Sequence, residues 1–304
     1  MSGGSFWRGR LALAAAVVIW SSPPIFQFWL ARSFDPWTQN FYRYAAGFAV
    51  MTPFLFWLHR REARRPRWRE WFACALAAVP NAVHQITQTI AVTLLLPGVY
   101  ALFGRISVVL TALLAVMFFA DERWIARSMK FRVGTALGLL GVAWLVGAPG
   151  GANPISTAGV LIALCAAVAW ASYGILIKRS AAKTGAAFGS WAIGLFTTAL
   201  LFPPMLRFGD AGAVWRADAW TIFILLFSGV LSIGLGHWLY YIGIRQVGAA
   251  PAQSALLLCP LGTIVLSAGI FGETFRAEQL AAGAVLLTGA FLALSAKPPV
   301  PSPV

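Results

Sequence analysis

Charge is scarce in this chain. Of its 304 residues only 11% are Asp, Glu, Lys or Arg, where a soluble domain carries about 25%. So few charges cannot cover a water-facing surface, which excludes a soluble globular enzyme. Acid is scarcer still: there are nine Asp and Glu, and none lies in the middle of an apolar stretch. That excludes the intramembrane carboxylate with which exchangers trade a proton for a lipophilic cation. The three histidines, His59, His84 and His237, form no H-E-x-x-H pattern, which excludes a zinc protease of that type. No serine has a base beside it in the pattern of a nucleophilic protease. Cys74, Cys165 and Cys259 all sit in apolar stretches and read as small core residues, so no disulfide framework, metal cluster or cofactor is expected. No loop exceeds about a dozen residues, too short for the soluble output domain of a receptor.

What is present is hydrophobic: 60% of residues, with a mean hydropathy of +0.77. Apolar windows fall near residues 9–31, 36–58, 71–93, 97–119, 130–147, 157–178, 187–206, 219–244, 250–271 and 277–296, each close to the roughly 20 residues that cross a bilayer. The sequence thus predicts an all-α integral membrane protein of ten transmembrane helices. The first window follows Arg8 and Arg10 and runs into Ser21-Ser22-Pro23-Pro24 without a small-residue cleavage site, so it is expected to be an uncleaved span rather than a signal peptide. The proline-rich tail, 297–304, cannot continue a helix and is expected to be disordered.

The formal charge of +14 would suit a nucleic-acid binder, but the basic residues lie in short runs between apolar stretches. With the N-terminus inside, 17 of the 23 Lys and Arg fall in inner segments and 4 in outer loops, leaving Arg43 and Arg105 within spans. That is a positive-inside pattern. It predicts a multi-pass protein of the cell membrane (a bacterial inner membrane) with both termini cytoplasmic, lipid around it and no nucleic-acid partner.

The two halves resemble each other. Leu11 to Trp20 (LALAAAVVIW) is similar to Leu161 to Trp170 (LIALCAAVAW), and LTALLAVMFFADE ending at Glu122 to LGTIVLSAGIFGE ending at Glu273. Beyond each Glu comes a glycine-spaced span, with Gly134 and Gly141 in one half and Gly283 and Gly289 in the other. Five spans per half is odd, so the second half enters the membrane from the opposite face: an inverted repeat, the plan on which many secondary transporters alternate access. The expected division is a first repeat at 1–147, a linker at 148–156, a second repeat at 157–296 and the tail.

At these residues the chain resembles the drug/metabolite transporter superfamily, and within it the EamA-like, ten-helix family. The likeness is densest from Gly234 to Leu294, with an aromatic-rich span, a mid-helix Pro260, Gly272-Glu273 and a glycine-spaced last span. Trp20-Ser21-Ser22 and Arg43-Tyr44 share it. The first half departs from the pattern: Val109 stands where Pro260 stands in the second half, Arg105 is an unusual charge, and Asp121-Glu122 replaces Gly-Glu. The resemblance implies transport of small metabolites, often export of amino acids or related compounds.

Several polar groups lie within the spans. Asn81, His84, Gln85 and Gln88 are spaced i, i+3, i+4, i+7, which puts them on one helical face. They would line a wet cavity or serve as interhelical hydrogen-bonding glue. His237, with Tyr240 and Tyr241 after it, occupies a matching place in the second half. Arg43 and Arg105 would either snorkel outward or meet a substrate anion. Trp20, Ser21, Ser22, Pro23 and Pro24 are expected to break span one, and Trp170, Ser172, Tyr173 and Gly174 span six, either exposing backbone polar groups near the midplane or merely kinking the helices for packing. Glu122 and Glu273, at span ends, read as caps or loop partners. Trp7, Trp37, Trp57, Trp71, Trp124, Trp215 and Trp220 are placed as interface anchors.

The expected substrate-binding set is therefore Trp20, Ser22, Asn81, His84, Gln85, Gln88, Arg105, Trp170, His237 and Tyr241. The expected function is a monomeric secondary transporter or facilitator, not an enzyme. Its ligand would be a small neutral, zwitterionic or anionic metabolite, with amino acids first. A multidrug or other metabolite permease of the same fold is the alternative, with an intramembrane enzyme behind it.

Overall fold

The computed structural model of the protein describes residues 3–61, 65–118, 126–147, 155–181, 185–247, 252 and 255–295. Asp121-Glu122, Trp124, the linker 148–154 and the tail lie outside the described residues. Among those described, regular structure is entirely helical. The helices are α1 (Gly3–Trp20), α2 (Pro23–Leu30), α3 (Pro36–Arg61), α4 (Trp68–Leu95), α5 (Pro97–Phe103), α6 (Ile106–Phe118), α7 (Met129–Gly147), α8 (Thr157–Ala181), α9 (Ala186–Phe208), α10 (Ala213–Arg216) and α11 (Ala219–Ser228). A π-helical segment, Gly229–Leu235, joins α11 to α12 (Gly236–Val247), and α13 (Cys259–Phe271) and α14 (Ala277–Leu294) follow.

Among the described residues, seven segments are long and apolar enough to cross a membrane. They are α1–α2, α5–α6, α7, α8, α9, α11–α12 and α14. The protein is thus a multi-pass membrane protein, with large apolar side chains such as Val18, Leu140, Val265 and Phe291 facing outward where lipid would solvate them. Helices α3 and α4 are longer, at 26 and 28 residues, but both bury polar rows: Thr38, Gln39, Asn40 and Arg43 on one, Asn81, His84, Gln85, Gln88 and Thr89 on the other. Apolar α13 has only 13 residues.

Proline and local capping set the ends. Pro23 has no N–H to donate back into α1, so the helix stops and restarts. The Val17 and Ile19 carbonyls accept the Ser21 and Ser22 hydroxyls at 2.9 and 2.6 Å, beside the N–H groups of the same two serines. Asp35 caps α3, accepting the Trp37 and Thr38 N–H groups at 2.9 Å each. Asp218 caps α11 through Thr221, and those bonds hold its carboxyl below the usual range. Span six is a correction: α8 runs unbroken through Trp170, Ser172, Tyr173 and Gly174, because glycine alone removes no backbone donor. Trp71, half-buried near the start of α4, packs edge-on against Phe188 (ring centroids 5.0 Å) at the side of a buried cluster.

The most extensive helix contacts are α7 with α14, α4 with α8, α1 with α12, α3 with α9, α3 with the π segment, α4 with α9 and α6 with α8, and α5 packs against α13. Two hydrogen bonds across the repeats bring loops to one end of the bundle: Asp210 N–H donates to Asp35 Oδ2 at 3.0 Å and Gly98 N–H to Glu273 Oε2 at 2.9 Å. The α7–α14 crossing is glycine on glycine, where a Cβ added to Gly134 would lie 2.6 Å from the Gly289 carbonyl oxygen. Such close backbone approach is how membrane helices gain packing energy without a hydrophobic drive.

Candidate functional site

Three irregular points in the helices face one another at the centre. The first is the α1–α2 break. The second is the turn at Gly104-Arg105 between α5 and α6, and the third is the π segment. Around them lies a cavity with about 80 Å³ open to the centres of water molecules, lined from both halves of the chain. Wider π turns commonly mark functional sites. Here the turn leaves the Ser232 carbonyl free to accept from Trp20 Nε1 at 3.0 Å, with His237 Nδ1 at 3.3 Å. The glycines at 229, 234 and 236 are the sequence signal for this segment. Gly47 of α3 packs so closely that a Cβ there would lie 2.7 Å from the Gly229 carbonyl oxygen.

Aromatic rings make one wall. Trp170 lies 4.8 Å from His84 and 5.7 Å from Trp20, and Trp20 lies 5.0 Å from His237, all between ring centroids. The two histidines therefore sit at the ends of a ring chain that joins the repeats. His84 Nδ1 is 2.9 Å from the Ala166 carbonyl oxygen. A carbonyl only accepts, so Nδ1 carries the proton, and a neutral ring then offers Nε2 as an acceptor. His237 follows the same logic through Ser232, and its Nε2 is buried without a partner.

Two arginines also face the cavity. Arg43 is 1% exposed. Its Nε donates to Ser228 Oγ at 3.0 Å, while Nη1 has no partner. Arg105 donates from Nη1 to the Leu256 carbonyl oxygen at 3.0 Å, and its Nε is likewise unpartnered. Among the described lining residues there is no Asp or Glu. Two guanidiniums without a counter-charge in a medium that screens poorly make an anion-favouring site.

Seven of the ten expected residues line this cavity: Trp20, His84, Gln85, Gln88, Arg105, Trp170 and His237. Three do not. Ser22 turns its hydroxyl back to Ile19. Asn81 donates to Tyr44 Oη at 2.9 Å and Thr197 Oγ1 at 3.1 Å, and Tyr241 Oη pairs with Tyr173 Oη at 2.9 Å. These last three bonds tie helices together, the role of glue. Arg43, Tyr100, Ser107, Ser232 and Thr263 line the cavity outside the expected set. For Thr263 the signal is faint, because its hydroxyl donates to the Ser21 carbonyl at 2.8 Å, a pairing 242 residues apart.

The glue role has a measurable consequence. Asn81→Ala leaves the Tyr44 and Thr197 hydroxyls buried with one bond fewer, which costs about 1–3 kcal/mol. A lowered melting temperature in detergent is expected, with the order of ligand preference unchanged; an altered order would return Asn81 to the binding site.

The profile of the EamA-like transporter family matches residues 7–147 and again 157–295. A transporter of Bacillus subtilis (strain 168), named Uncharacterized transporter YvbV, is 30% identical over 206 residues, which is 66% of this chain and 64% of that protein. An Uncharacterized transporter of Archaeoglobus fulgidus is 25% identical over 133 residues, covering 44% of this chain and 47% of its own. The chain thus spans less than two thirds of the length of these curated relatives. A solved protein structure, described only as a crystal structure of a protein, superposes with a TM-score of 0.66 over 95% of this chain and 97% of its own at 19% identity, a likeness of fold alone. With the family profile matched in both halves of an all-helical membrane bundle, the chain belongs to the EamA-like transporter family.

Proposed function

We propose that this protein is a secondary transporter or facilitator of small neutral, zwitterionic or anionic metabolites, amino acids and their relatives first, with export the direction. The supporting observation is the central cavity, which joins two arginines, two ring-nitrogen acceptors and an aromatic wall with no acidic residue among its described lining. A zwitterion or weak acid would set its carboxylate toward Arg105, in a charge-assisted bond, and its apolar part against Trp20 and Trp170. A lipophilic cation would meet repulsion there, which weighs against the multidrug alternative. The two relatives named as transporters support the general reading.

Ten membrane-spanning helices complete the proposal, adding α3, α4 and the short α13 to the seven apolar segments. They form two inverted repeats, 1–147 and 157–296, which alternate access around the cavity, and both termini are cytoplasmic. The charge distribution supports this orientation. Cysteines placed in the 59–70 segment are expected to resist a membrane-impermeant reagent in intact cells; strong labelling from outside would sink the topology. Radiotracer flux in proteoliposomes, run over amino acids, small organic acids and lipophilic cations, tests the function. Saturable flux of the first two classes is expected, and flux of the cations alone overturns the substrate class.

A further inference from the structure

Helix α5 is a wall with a cavity on each side. Its Tyr100 and Ala101 line the central cavity. Its Val99, with the preceding Leu96, lines a second cavity of about 300 Å³ at the loop end of the bundle, shared with Arg32 and Glu273. The C-terminal end of this seven-residue helix is hydrogen-bonded on into α6, whereas its N-terminal end starts at a break in the helical chain. Leu96, at its start, has a φ of 65°, the left-handed region, and is the only such non-glycine among the described residues. The Gly104-Arg105 turn ends it.

What ties the first turn of α5 is Glu273, from the loop after α13. Oε2 accepts the Gly98 N–H at 2.9 Å and Oε1 the Val99 N–H at 3.1 Å. The Ser267 hydroxyl donates to the same carboxylate, which is only 7% exposed. The first N–H groups of a helix have no partner within it, and two carboxylate oxygens can satisfy two of them with charge-assisted bonds. The tie crosses from one repeat to the other. Phe275 closes over the same spot, so that any side chain at Gly98 would meet its ring.

We propose that α5 is the gate between the central cavity and the outer vestibule, and that Glu273 is the positioning residue that latches it shut. This rests on the transporter reading. Alternating access requires one wall of the cavity to yield at each face. The segment is packed by apolar contacts, with Val99, Tyr100, Leu102 and Phe103 in one buried cluster, but the N–H groups of its first turn are held by a single buried carboxylate, so losing that carboxylate frees the turn that separates the two cavities. Breaking the Glu273 bonds releases that turn and joins the two cavities, and re-forming them closes the path behind the solute.

The native thiols supply the test. Cys259 lines the central cavity, whereas Cys74 is buried in a separate cluster with Phe188 and Ile193. With Cys165→Ala removing the exposed thiol, purified protein in nanodiscs is treated with a hydrophilic maleimide and each cysteine is followed by mass spectrometry. Glu273→Gln loses one acceptor oxygen, and the labelling rate at Cys259 is expected to rise on the order of tenfold, the weight of one hydrogen bond to a charged group. Cys74 should stay unlabelled, and Glu273→Asp should fall between the two proteins. Equal labelling of Cys74 and Cys259, which means general loosening, overturns the latch, as does an unchanged rate at Cys259. Proteoliposome flux by the unaltered protein separates this from the reading it rests on. Selective Cys259 labelling without any flux keeps the latch and overturns the transporter. Flux without selective labelling keeps the transporter and overturns the latch.

Discussion

Replacing Arg105 by Gln is expected to reduce the saturable flux of carboxylate solutes by about 10- to 100-fold. That range is the worth of a hydrogen bond to a charged group, about 1.5–3 kcal/mol, read at 1.4 kcal/mol per tenfold. The side chain is half-buried and aimed by its bond to the Leu256 carbonyl, so it is ordered before the anion arrives and little entropy is lost on binding. Lysine at this position keeps the charge but not the planar fork, and an intermediate flux is expected. Arg43→Gln is a poorer test, because Arg43 also bonds to Ser228 and is fully enclosed, so its loss mixes folding with binding. The measurement is initial-rate flux in proteoliposomes at matched protein incorporation. Unchanged carboxylate flux in Arg105→Gln, together with competition by lipophilic cations alone, would refute the anion preference.

Gly289→Leu is expected to leave almost no folded protein. A Cβ at Gly289 would lie 2.7 Å from the Gly134 carbonyl oxygen, and one at Gly141 would lie 2.6 Å from the Leu286 nitrogen. These obstacles are backbone atoms, so no rotamer change relieves them. The helices must part along the most extensive interhelix contact of the structure, α7 with α14. Overpacking costs about 1–3 kcal/mol where side chains can give way. With rigid backbone opposite, about 3 kcal/mol or more is expected, a large share of the 5–15 kcal/mol that holds a typical protein folded. Size-exclusion profiles and thermal unfolding in detergent check this, with Gly269→Leu as the control because nothing lies within 4 Å of a Cβ there. A well-behaved Gly289→Leu protein, as stable as that control, would mean that the crossing is looser than described.

Much of the site could be read along the chain. The i, i+3, i+4, i+7 spacing on α4 put Asn81, His84, Gln85 and Gln88 on one face, and all four are buried. Tertiary packing then divided them. Asn81, one turn nearer the basic loop, meets Tyr44 and Thr197, while the other three reach the cavity. The break in span one was legible because proline deletes a backbone donor wherever it stands. The break expected in span six does not occur, and the π segment in span eight went unread, because glycine only permits a distortion that neighbouring helices must select.

The sequence by itself determined the membrane class, the run of apolar spans, the two related halves and the polar residues worth attention. These follow from terms that belong to single residues or near neighbours: transfer of a side chain to lipid, the missing N–H of proline, the helical period. Only the tertiary structure decided which polar groups share a cavity. Only it placed Trp170 between His84 and Trp20, aimed Arg105 at the Leu256 carbonyl and set the Glu273 carboxylate on the Gly98 and Val99 N–H groups. Each of these partners lies more than 60 residues away along the chain. Their meeting depends on how glycine-lined helices pack, a many-body term that no local pattern carries.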